Sequence, residues 1–233
     1  MKRAIVLTYH CIGTPKNSVR LPGLYVTSKM FAFQMYYLKT FGYNVVRLND
    51  ILAFSLEQPS NSKLVAITFD DGFKSFLEFA FPILDKYKFP ATVFLVSSLA
   101  GKHNAWDSDY VNEIRELMDW DDINFLKEKA IDFGAHSKTH PDLPKLSESD
   151  LETEIRGSKD DIESKLSIPI DFFCYPYGSY DDKVTASVKR AGFKAAFTTK
   201  KGYVRTGDKP YEFNRMSIKL NTGPIAFSYK LLL

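Results

Sequence analysis

The sequence predicts a parallel α/β fold closed into a barrel of about seven strands, and two observations predict it. Seven short apolar or β-branched runs alternate with longer amphipathic stretches, the pattern of repeated βα units. The polar residues with chemical character, His10, Asp70 with Asp71, His136 with His140, and Tyr177, each fall just past one of those runs. Periodicity alone fits an open doubly wound sheet as well as a barrel. In parallel α/β folds the carboxyl ends of the strands carry the chemistry, and closure brings four such ends to one mouth, which favours the barrel.

The predicted strands are residues 4–9, 43–47, 64–69, 91–96, 131–135, 171–175 and 195–199. A helix over 28–40 follows from Phe31, Met35 and Leu38 sharing one face, and another over 50–56 from Asn49 as its cap. Further helices fit 73–87, 107–118, 121–130, 147–166 and 181–191, the last closed by Gly192. The segment 97–104, with Gly101, and the charged stretch after it read as an insertion over the mouth.

At 233 residues, with no linker, repeat or low-complexity tract, the chain reads as one domain over 1–233. A hydrophobic share of 45% and a charged share of 25% belong to an ordinary globular protein and exclude a disordered or fibrous one. The net charge of +3 is spread without a basic stripe, so nucleic acid is not an expected partner. The opening apolar run is too short for a signal peptide, which makes a cytoplasmic location the expectation. No apolar segment is long enough to span a bilayer, which leaves peripheral membrane contact open. Cys11 and Cys174 lack metal-finger spacing and read as two buried thiols. Oligomeric state leaves no mark in the sequence.

Thr68-Phe69-Asp70-Asp71-Gly72 sets two adjacent carboxylates where an apolar strand runs out, before a glycine that permits a sharp turn. Neighbouring side chains at a strand end point different ways, so one aspartate can bind a metal while the other takes a proton from water. A plain Asp-Asp-Gly turn capping the next helix is the alternative. His136-Ser137-Lys138-Thr139-His140 puts two imidazoles at i and i+4, the spacing of one helical face, from which both can bind one ion. Two histidines and a carboxylate suit zinc best, and an isolated pair of this kind is otherwise a core or surface feature. Cys174-Tyr175-Pro176-Tyr177-Gly178 is a turn that can present a backbone N–H and an aromatic wall to the mouth. Trp106, in the insertion, is a candidate to stack on a sugar ring or to pack as a half-buried residue.

Taken in this order, these segments resemble the polysaccharide deacetylase family, carbohydrate esterase family four, over nearly the whole chain. The resemblance implies that family's distorted, TIM-like (β/α) barrel and a hydrolase acting on a carbon–nitrogen bond other than a peptide bond. It implies Asp70 as the base and Asp71, His136 and His140 as ligands of one divalent metal, zinc first, cobalt or nickel next. The substrate implied is a carbohydrate, an N-acetyl amino sugar of a polysaccharide or glycan precursor; Pro176 and Tyr177, which match the third motif, and Trp106 and Arg215, which the matched motifs do not supply, are the candidates on the substrate side. Two departures stand out. The family's third motif opens with an arginine where this chain has Cys174, and Arg215 is the candidate to replace it. The family's late Leu-x-His motif, source of the catalytic acid, is absent because no histidine follows His140, and His10 is the candidate acid. Two other readings compete: a deacylase of a lipid-linked or nucleotide-linked sugar, and a sugar-binding barrel without turnover.

Overall fold

The computed structural model describes residues 2–15, 22–57, 63–107 and 113–232. Strand β1 (Ile5–Tyr9) opens the barrel, and a small parallel pair, β2 (Cys11–Ile12) and β3 (Tyr25–Val26), follows it. After the short β4 (Asn44–Val45) come β5 (Leu64–Phe69), β6 (Ala91–Leu95), β7 (Ile131–Ala135), β8 (Phe172–Cys174), β9 (Ala195–Lys201) and β10 (Phe213–Ser217). β1 pairs in parallel with β5 on one side and β10 on the other, so seven strands close in the order β1-β5-β6-β7-β8-β9-β10. This is the predicted seven-strand parallel barrel with two changes of membership. β4 covers only part of the predicted strand at 43–47 and pairs with the first two residues of β5, outside the ring. Its place is taken by β10, Phe-Asn-Arg-Met-Ser, whose polar residues hide it from a search for apolar runs.

Helices cover the outside. α1 (Ser28–Thr40) begins where the Thr27 hydroxyl accepts from the Met30 N–H, and it buries Phe31, Met35 and Leu38 as predicted. α2 (Leu48–Leu56) starts two residues before the predicted helix, so its cap position is Arg47 and not Asn49; the Asp50 carboxylate accepts the Arg47 N–H. The predicted helix at 73–87 is a π-helical turn, Phe76–Ala80, running into α3 (Phe81–Tyr87). α4 (Trp120–Lys127) is capped by Asp119. α5 (Glu148–Leu166) is capped by Ser147 and buries Leu151, Ile155, Ile162 and Leu166 along one stripe. α6 (Asp182–Arg190) is capped by Asp181 and followed by Gly192 at φ +83°. α7 (Pro224–Leu232), not anticipated, ends the described chain. The helix predicted over 107–118 is not formed: Glu116 and Leu117 make antiparallel bridges to His103 and Phe73, and 108–112 lie outside the described residues. No helix among the described residues is long and apolar enough to cross a membrane.

Alternation along the strands divides the core. Ile5, Leu7 and Tyr9 pack with the helices, whereas Val6 belongs to a separate cluster with Ala66, Phe94, Phe172, Phe197 and Phe213. That cluster of rings plugs the barrel interior. Gly134 makes room for it, since a Cβ there would lie 2.5 Å from the Phe94 ring. Burying each phenylalanine contributes about 2–3 kcal/mol.

Candidate active site

The Asp70 N–H still donates to the Tyr9 carbonyl as β5 ends, and the next two residues, Asp71 and Gly72, take φ of +74° and +76°. This left-handed turn aims the two carboxylates apart, as their place at a strand end predicts. Asp70 meets Arg215 of β10: Nη1 donates to Oδ1 and Nη2 to Oδ2, both at 2.7 Å. The guanidinium also donates to the Thr198 carbonyl at 3.0 Å, the Thr68 hydroxyl at 3.2 Å and the Cys174 sulfur at 3.0 Å, and it is 1% exposed. Burial alone would raise the Asp70 carboxyl, but the bidentate arginine, with His10 and His136 nearby, holds it below the usual carboxylate range. His10 Nε2 lies 3.9 Å from Asp70 Oδ2.

Asp71 Oδ1 lies 3.5 Å from His136 Nε2 and 3.6 Å from His140 Nε2. His136 follows β7 directly, and its Nδ1 is 2.7 Å from the Cys174 carbonyl, so that nitrogen carries the proton and donates. His140 arrives by a turn and not along a helix: Ser137 and His140 have φ of +63° and +66°, and the Ser137 hydroxyl accepts the His140 N–H. Glu154 of α5 accepts the N–H groups of Lys138 and Thr139 and fixes the turn from below. Burial, reinforced by the His136 ring, holds His140 down to about 3, so its imidazole is neutral at neutral pH.

These three side chains fit a divalent metal. Their donor atoms lie within 4.8 Å of one another and are buried. His136 Nε2 lies 3.5 Å from the Asp71 carboxylate oxygen, and although burial works against it, Cys174 and Asp71 beside the ring hold His136 well above the usual imidazole range, so this nitrogen is placed to carry a positive charge, as a proton or as a bond to a metal ion. Metal–ligand bonds of about 2.0–2.2 Å at tetrahedral angles set donors roughly 3.4 Å apart, matching the two carboxylate–imidazole separations.

The Pro176-Tyr177-Gly178 turn forms part of the cavity rim. Tyr177 has φ +58° and Gly178 φ +72°, and a Cβ on Gly178 would fall 1.9 Å from the Thr199 hydroxyl, so only glycine fits. The cavity, about 200 Å³, is bounded by His10, Asp70, Asp71, His136, His140, Trp106 and Tyr177 among others. Pro176 is buried in the turn and Arg215 lies behind Asp70, so neither reaches the cavity wall. The Trp106 indole lies stacked on His140, with ring centres 4.6 Å apart. Leu24, Tyr175, Thr199 and Asp107 complete the wall and were not singled out from the sequence. Tyr175 and Thr199 do close predicted strands, the one local signal that could have found them.

Residues 57–196 match the family model described as polysaccharide deacetylase. A poly-β-1,6-N-acetyl-D-glucosamine N-deacetylase of Staphylococcus aureus is 26% identical, over 92% of this chain and 78% of that relative. A polysaccharide deacetylase of Bacillus cereus is 26% identical with a TM-score of 0.83, covering 99% of this chain and 69% of that one. For the fold, the deacetylase PplD of Streptococcus pyogenes superposes with a TM-score of 0.85 at 23% identity, over 98% of both chains.

Proposed function

This chain belongs to the polysaccharide deacetylase family, and from that premise we propose that it hydrolyses the N-acetyl group of an amino sugar in a polysaccharide, releasing acetate and a free amine. One observation carries the reading: a buried carboxylate clamped by arginine, Asp70, adjoins a buried carboxylate and two imidazoles whose donor atoms converge. The family relatives with this activity, among them the S. aureus enzyme, support the substrate class.

Asp71, His136 and His140 would hold a divalent ion, zinc suiting two nitrogens and one oxygen best, and it would supply Lewis acidity toward the amide carbonyl and lower the pKa of a water. Asp70 is ionised and oriented by Arg215, and its oxygen removes the water's proton as the water attacks the carbonyl carbon. Tyr177 borders the cavity, and its backbone N–H is assigned to the carbonyl oxygen as negative charge develops there. His10, 3.9 Å from Asp70, is assigned the proton delivered to the sugar nitrogen as the carbon–nitrogen bond breaks. Without that proton the nitrogen would leave as an amide anion, which is too basic to depart.

The test is turnover of N-acetylated oligosaccharides, read as free amine and acetate in equal amounts. The expected result is activity that a chelator removes and zinc restores. A zinc-loaded protein that binds these sugars and releases no acetate would establish a binding barrel instead.

A further inference from the structure

The two histidines are held by different means. His136 donates from Nδ1 to the Cys174 carbonyl, the outer hydrogen bond that usually orients a ligand imidazole. His140 is 5% exposed, and its Nδ1 has no hydrogen-bond partner among the described residues. Two rings bracket it instead: the Trp106 indole at 4.6 Å and 26°, face to face, and the Tyr177 ring at 4.5 Å and 75°. The Tyr177 ring meets His140 edge-on from the cavity rim, whereas the indole lies face to face on the imidazole.

The indole is itself fixed. Behind it lies Phe73, with ring centres 6.3 Å apart, and the Arg115 guanidinium covers Phe73 at 4.9 Å. Arg115 Nη2 donates to Asp107 Oδ2 at 2.8 Å, next in sequence to the tryptophan, and its backbone N–H donates to the Asn104 side chain at 2.7 Å. The Met118 N–H donates to the Gly72 carbonyl at 3.0 Å, tying the segment to the turn that carries Asp71.

We infer that Trp106 is a positioning residue for His140, and that its stacking, where no described residue supplies an outer hydrogen bond, sets how tightly the site holds a divalent ion. This rests on the metal reading above. A ring packed on an imidazole face restricts its tilt, and restricting a ligand's orientation before binding removes that cost from the affinity. The Asp107–Arg115 ion pair then acts one step further out, by holding the indole.

Zinc affinity, measured by competition with a chromophoric chelator, tests the inference in wild type, Trp106→Leu and Trp106→Phe. Leucine keeps apolar bulk and removes the ring; phenylalanine keeps a ring. The expected result is one zinc per wild-type chain, a dissociation constant raised about tenfold or more in Trp106→Leu, and recovery of most of that loss in Trp106→Phe. The visible spectrum of the cobalt-loaded leucine variant should shift, because His140 is no longer held in one orientation. Equal zinc affinity, within about twofold, in all three proteins would overturn the inference while leaving the metal reading intact. A wild-type chain that takes up no zinc overturns the metal reading first, before any variant is compared. If Trp106→Leu lacks the wild-type circular dichroism, Trp106→Met replaces it as the variant without a ring: a loss of zinc affinity of about tenfold upholds the inference, and affinity within about twofold of wild type overturns it.

Discussion

On the side of the mouth formed by β1, β5 and β10, charged groups are locked by hydrogen bonds between strands: Arg215 spends its donors on Asp70, Thr68, Thr198 and Cys174, all buried. On the opposite side, formed by the turns after β7 and β8, groups are aimed by left-handed backbone at Ser137, His140 and Tyr177 and by ring contacts. The difference is one of cost. A buried ion pair is strongly destabilised when one partner is removed, because the other is left charged and unpaired. A turn or a ring contact can shift by tenths of an ångström, which moves affinity more than it moves stability.

The sharpest way to break this comparison is Arg215→Met, which leaves Asp70 buried without its cation. We expect a stability loss of about 3–5 kcal/mol in denaturant unfolding; a loss below about 1 kcal/mol would show that the strand side is no more rigid than the turn side. Next comes the aspartate pair. Asp70→Asn should keep the metal and lose at least about a hundredfold in turnover, roughly 2.7 kcal/mol, whereas Asp71→Asn should lose metal in elemental analysis. The opposite pattern would exchange the two roles. Gly178→Ala probes the turn side: strain at φ +72° and the clash with Thr199 should cost about 1–3 kcal/mol, read as a lowered Tm. The gentlest probe is His10→Gln, which should preserve fold and metal content while lowering turnover, since an amide cannot deliver a proton. Turnover equal to wild type across the pH range would remove His10 from the reaction.

Local motifs were the legible part. Thr68–Gly72 and His136–His140 each lie within a few residues of a predicted strand end, where side-chain chemistry and backbone direction are set together. The i, i+4 histidine spacing was legible as a pair but not as a shape, because a helix and a left-handed turn can both bring such rings together. Arg215 could be proposed only through the family resemblance. Its strand carries no apolar run, and its partner Asp70 is 145 residues away, a distance no local pattern spans. The false helix at 107–118 has a similar origin: tertiary bridges to His103 and Phe73 override whatever helical tendency the segment has.

The ring plug formed by Phe94, Phe172, Phe197 and Phe213 bears on how the reaction ends. Arg215 sits over Phe94, its guanidinium 5.8 Å from the ring centre, so a buried arginine and a ring lie behind Asp70, away from the cavity. An acetate formed beside Asp70 would lie in the cavity that also holds Asp71, His136 and His140. Acetate added to the assay should therefore compete with substrate, read as a rise in KM with kcat unchanged.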